Sequence, residues 1–134
     1  MSYSIFLLRF VGGEVVGLDA ERFRQVTGPY VVAGGPGEGF SQLRAEDGGE
    51  ADVYHEAHGE HGMPCVTVMH FARGAMLGVL ARLGAALGAS IVPQDGGALI
   101  FHEEERRHLP ADLQENAVVI APTAEALQAV FDTR

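Results

Sequence analysis

The hydrophobic positions between residues 65 and 101 set the plan of the chain. Residues 65–71 (CVTVMHF) read as a buried strand. Residues 74–88 (GAMLGVLARLGAALG) are apolar on nearly every side, with Arg82 the one charge among the interior positions. This pattern predicts a helix that must be covered over most of its surface, so the remaining elements should be built against it. Met76, Leu80, Leu83 and Leu87 form one stripe, and Leu77 and Ala81 widen it. Gly74, Gly78, Ala85 and Gly88 allow close backbone approach, with Gly88 placed as the C-terminal cap. Glycine lowers helix propensity, so packing has to carry this helix. After it, residues 90–92 and 98–101 read as two short strands around PQDGG, and Pro93 confines the first to the turn side or to an edge.

Before this core, residues 3–11 read as a strand with apolar groups on both parities, as a central strand would have. Gly12-Gly13 ends or bends it. Asp19 is placed as the N-cap of a helix over 20–27, with Leu18 and Phe23 in the hydrophobic-staple positions and Gly28-Pro29 as its stop. Residues 30–33 form a short strand and GGPGEG (34–39) a turn. Residues 40–46 and 52–57 predict a hairpin joined by DGG (47–49). Its polar outer positions, Gln42, Arg44, Glu46, Asp52 and Glu56, predict a wet face and a place at one side of the sheet. HGEHGM (58–63) is a second turn. Past the core come a charged helical turn (103–108), another turn (110–114), a late strand (117–121) and a last helix capped by Thr123, with Ala126, Leu127, Val130 and Phe131 facing inward. Together these elements predict one α+β domain over residues 1–134: a mainly antiparallel sheet packed against the central helix of about 74–88, with short flanking helices. The alternative is a barrel-like sheet closed around that helix.

Composition narrows the partners. The chain has 134 residues, long enough for a core that needs no disulfide or structural metal, and 47% of them are hydrophobic, which argues against disorder. Eighteen acidic residues stand against nine arginines and no lysine, a net charge of -9. That balance disfavours nucleic acid and anionic membranes as partners and favours solubility or a basic protein. The lone Cys65 leaves no internal disulfide and reads as a small buried hydrophobe. The N-terminal apolar run lacks the flanks of a signal peptide, and no uncharged apolar stretch is long enough to span a bilayer, so the expected location is the cytoplasm.

Candidate chemistry centres on histidine. His55, His58 and His61, with Cys65 nearby, supply zinc-ligand atoms around a turn, although this spacing matches no established zinc pattern. Exposed turn histidines titrating near neutrality are the simpler reading. Cys65 and His70 have opposite parity on one strand, so a nucleophilic pair would need His61 or His102 instead. GGPGEG lacks the ending of a phosphate loop and the dinucleotide pattern, and no cofactor is expected. The acidic pairs at 46–47 and 50–52 read as a solvated turn. In HEEERRH (102–108), Glu103 is spaced to meet Arg106 or Arg107. No catalytic residue is assigned.

The opening MSY, the segment LGASIVPQDGG and the final helix opened by PTAEAL resemble small uncharacterised bacterial α+β proteins of the toxin-immunity kind. The high Gly, Ala and Val content without lysine likewise resembles that of a high-GC bacterial genome. The resemblance implies a protein that neutralises a toxin by direct binding, and it carries no catalytic motif. The expected function is therefore non-catalytic protein binding or a structural role. The partner is a second copy, meeting a free edge at the 40–57 hairpin, or a basic protein. Metal binding at His55, His58 and His61 is the competing expectation.

Overall fold

The structure is a computed structural model that describes residues 3–35, 38–55 and 62–133. Its strands are β1 (Ser4–Val11), β2 (Glu14–Val16), β3 (Val31–Gly35), β4 (Phe40–Arg44), β5 (Glu50–His55), β6 (Val66–Met69), β7 (Ser90–Pro93), β8 (Leu99–Ile100) and β9 (Val118–Val119). Its α-helices are α1 (Ala20–Thr27), α2 (Ala75–Ala86), α3 (Ala111–Gln114) and α4 (Ala124–Asp132), and Glu103–His108 forms a 3-10 helix. The strands make one open sheet in the order β3-β4-β5-β6-β1-β7-β8-β9, and β2 folds back on the end of β1. All pairs are antiparallel except β8–β9. This is the expected α+β architecture, with α2 packed on the sheet.

β1 sits in the interior of the sheet because both its parities can be covered. Ile5 and Leu7 are fully buried on one face, while Phe6 and Leu8 are half-buried on the other. Gly12 and Gly13 take φ of +59° and +86°, the left-handed pair that a two-residue hairpin needs, so the chain turns back as β2 instead of merely ending the strand. The α1 boundaries coincide with the expectation. Asp19 Oδ1 accepts from the Glu21 and Arg22 N–H groups, and Leu18 and Phe23 are fully buried. Thr123 caps α4 by accepting from the Ala126 N–H.

α2 is covered on most sides, and Met76, Leu77, Val79, Leu80, Ala81 and Leu83 are buried along it. Its small residues mark the closest approaches. A Cβ on Gly78 would lie 3.5 Å from the Ala124 Cβ of α4, and one on Gly84 would lie 3.1 Å from the Phe101 ring. Both ends of α2 are satisfied from elsewhere in the chain. Gly74 has no side chain to cap it, so Asp47, in the β4–β5 turn, accepts from the Ala75 N–H at 3.1 Å. At the other end Gly88 adopts a left-handed φ of +64°, and the Ala89 N–H reaches the Gly84 carbonyl at 2.9 Å. Arg22 of α1 donates to the Ala86 carbonyl at 3.1 Å.

The 40–57 hairpin is not at an edge. β4 lies between β3 and β5, and β5 lies between β4 and β6; β3 and β9 are the edges. Of the expected wet positions Arg44 and Glu46 are exposed, Gln42 and Asp52 are half-buried and Glu56 lies outside the described residues, but a wet face says nothing about where a strand lies in the sheet. Pro93 is the last residue of the inner strand β7, on its turn side, which is the arrangement proline tolerates. Among the described residues, no helix is long and apolar enough to cross a membrane.

The two α2 glycines are expected to respond differently to alanine. At Gly78 the nearest atom is the end of the flexible Arg82 side chain, so Gly78→Ala should be neutral or stabilising, by up to about 1 kcal/mol from helix propensity. At Gly84 the neighbours are the Phe101 ring and Ile91, so Gly84→Ala should cost about 1–3 kcal/mol through overpacking. Urea denaturation of both variants checks the contrast.

Candidate functional site

Strand alternation gives the sheet two faces with different fates. On the first, Ile5, Leu7, Leu43, Val53, Val66, Val68 and Ile91 join the buried side chains of α1, α2 and α4 in one core. On the second, a smaller cluster of Ala98, Ile100, Leu109 and Ala117, with Phe10, Val92 and Leu113 packed against it, covers the β7–β8 end. Phe6, Phe40, Tyr54 and Met69 belong to neither cluster. Phe6, Phe40 and Tyr54 lie where the register lines up one continuous row across five strands. Phe40 is opposite Tyr54, Tyr54 opposite Thr67, Thr67 opposite Phe6, and Phe6 opposite Val92. The Phe40 and Tyr54 rings lie 5.1 Å apart, and Tyr54 is 43% exposed. The adjoining row carries Gln42, Asp52, Met69 and Ser4. There Asp52 meets His70 Nδ1 at 2.9 Å, and farther along Arg44 pairs with Glu50 at 2.7 Å. The aromatic row itself thus carries no charge on a strongly acidic protein, with Asp52 in the row beside it.

The candidate metal ligands do not share one place. His55 is 4% exposed and points into the first face, its ring 4.8 Å from Phe23 and its Nε2 3.0 Å from Ser41 Oγ. It is therefore a buried core histidine and not an exposed turn residue. Cys65 has the parity of Thr67, with Sγ 4.0 Å from Thr67 Oγ1, and belongs to the second face. There it lines a cavity of about 260 Å³ with Gly39, Tyr54, Pro64 and Thr67, and His55 also borders this cavity although its ring packs on Phe23 in the first face. His58 and His61 lie outside the described residues. Among the described residues, no group of three His, Cys, Asp or Glu is placed to hold a metal ion. Cys65 and His70 flank opposite ends of β6. Glu103 does meet Arg106, at 2.8 Å, and Arg106 also donates to the Gln114 and Ala117 carbonyls, fastening the 3-10 helix to the segment that follows it.

The Ser41–His55 pair was not anticipated. Its signal was present in the hairpin: Ser41 pairs with Val53, which puts His55 one diagonal step away on the same face. Ser41 has no exposed surface, so this hydroxyl meets no substrate and the pair is a packing element. No family model, curated protein or solved structure matches the chain.

Burial holds the His55 pKa below its ordinary value, because the imidazolium would lose its hydration, and Nδ1 has no partner among the described residues. The unfolded chain takes up a proton that the folded chain refuses, so this residue's contribution is complete above the unfolded value of about 6.5 and declines as pH falls below it. Denaturation between pH 7.5 and 5 should show stability dropping more steeply in the wild type than in a Ser41→Ala/His55→Leu variant, in which both polar groups are gone. Parallel curves would contradict the assignment.

Proposed function

We propose that the protein acts by binding, through the uncovered face of its sheet, and that the partner this face fits is a second copy of the same chain. The observation that carries the reading is the cross-strand row Phe40, Tyr54, Thr67, Phe6 and Val92. Aromatic side chains of this kind each offer about 150–250 Å² of surface, worth about 25 cal/mol per Å² when removed from water. A two-fold axis through such a row sets apolar surface on apolar surface without juxtaposing unpaired charge. The cytoplasm, where a single thiol stays reduced, is the compartment this reading assumes. A second reading rests on the net charge of -9, which supports a basic protein as an additional partner, of the kind that an immunity-like role would require.

Tyr54 is exposed enough to be replaced without disturbing the core. Sedimentation should give a dimer for the wild type and a monomer for Tyr54→Lys at the same concentration, with unchanged circular dichroism. A wild type that stays monomeric up to high micromolar concentration would remove the self-association reading. The basic-partner reading would then depend on whether a partner is recovered and released by salt.

A further inference from the structure

We infer that the protein carries a second, small-molecule site, a cavity at the C-terminal end of α2 that takes an organic oxyanion, a carboxylate or a phosphate ester. The cavity has a volume of about 520 Å³, within the range of small-ligand pockets, and Arg9, Arg22 and Asp19 are its charged lining residues. Gly17, Gly62 and Gly88 leave backbone exposed around it. Three separate parts of the chain bring the two guanidiniums together. Arg9 comes from β1 and lies beside Gly88, where a Cβ would sit 3.8 Å from its Nε. Arg22 comes from α1 and spends one N–H on the Ala86 carbonyl at the end of α2.

Charge makes the site unusual. Carboxylates outnumber arginines two to one in this chain, and Arg24, Arg44, Arg73 and Arg106 are each paired with one. Arg9, Arg22, Arg82 and Arg107 have no carboxylate partner among the described residues; Arg82 donates to the Tyr30 hydroxyl, while Arg9 and Arg22 line the same cavity. The α2 C-terminus accounts for part of this, since a helix end carries about half a negative charge and attracts cations. Half a charge and the Asp19 carboxylate together leave the two guanidiniums in excess. Arg9 has no hydrogen-bond partner among the described residues, and its fork of donors suits a carboxylate or phosphate bidentately. Asp19 adds selectivity. Its Oδ1 takes both α1 N–H groups, which leaves Oδ2 to accept from a hydroxyl or ammonium on the same ligand. The chemistry is that of a small molecule with an oxyanion at one end and a hydrogen-bond donor at the other.

The proposal is tested on the full chain with three probes at low ionic strength: inorganic phosphate, citrate and ribose 5-phosphate, with ribose as the uncharged control. Calorimetry should show saturable binding of at least one anion and none of ribose, and amide NMR shifts should concentrate at Gly17, Gly62 and Gly88. Which anion binds separates phosphate from carboxylate recognition. Arg9→Gln, which removes no hydrogen bond or ion pair among the described residues, should weaken binding about tenfold or more while leaving the melting temperature of the free protein unchanged. Arg22→Gln should weaken it too, with some loss of stability from the α2 end. No saturable binding by any probe up to about 10 mM, unchanged affinity in Arg9→Gln, or shifts that map elsewhere would each overturn the proposal. These results are independent of oligomeric state and so of the self-association reading.

Discussion

The fold depends on burying a helix whose own sequence supplies few polar groups to finish its ends. α2 lies against the sheet with α1 and α4 packed alongside it. A covered helix cannot leave its terminal N–H and C=O groups to water on every side. The chain answers from elsewhere. Asp47 reaches the first turn from the β4–β5 hairpin, with its carboxyl held below the ordinary value mainly by the Gly49 and Ala75 N–H groups. Arg22 reaches the last turn from α1. The hairpin and the first helix are therefore tied to α2 by directional bonds as well as by apolar packing, which fixes where each sits relative to the sheet.

That arrangement places the helices whose buried side chains form the main core on one face and leaves the other face to the sheet itself. The same period-two alternation that buries Val53 and Val66 must present Tyr54 and Thr67 on the opposite side. The 103–114 segment packs over the β7–β8 end and the end of β1, where His108 accepts from the Gly12 and Gly13 N–H groups. The electrostatics of the remainder are consistent with a meeting surface. On this face Asp52 contacts His70 and Arg44 pairs with Glu50, and physiological salt screens exposed charges beyond about 8 Å. A net charge of -9 keeps copies soluble without forbidding contact at a neutral patch.

The elements were legible where local chemistry decides them. Asp19, Thr123, Gly88 and the DGG turn announce their helix ends and hairpin through short-range rules, and α2 follows from its uniform hydrophobicity. β2 was missed although Gly12-Gly13 is a good two-residue hairpin turn, because a three-residue strand has too little pattern of its own. The strand order was not legible. Nothing in β4 or β5 distinguishes an inner strand with one wet face from an edge strand, and β1 enters between β6 and β7 only in three dimensions. The same limit hid the Asp47 cap, 28 residues from the N–H it accepts, and the placing of Arg9 and Arg22 around one cavity. His55 was misread because its turn-like neighbours in sequence outweighed the parity of the strand it ends.

The two candidate surfaces are coupled to the fold in different ways, and that difference follows from their construction. The open face is made of side chains whose opposite neighbours form the core, so covering it adds burial to a sheet already held from the other side. The cavity is built on the end of α2 itself, and Arg22 belongs both to its wall and to the bond that finishes the helix. An anion held there draws the guanidinium between two acceptors, the ligand and the Ala86 carbonyl. A guanidinium has donors enough for both, so occupancy and helix termination are compatible. Arg9 has no such second duty, so on this reading its guanidinium is free to serve the ligand alone.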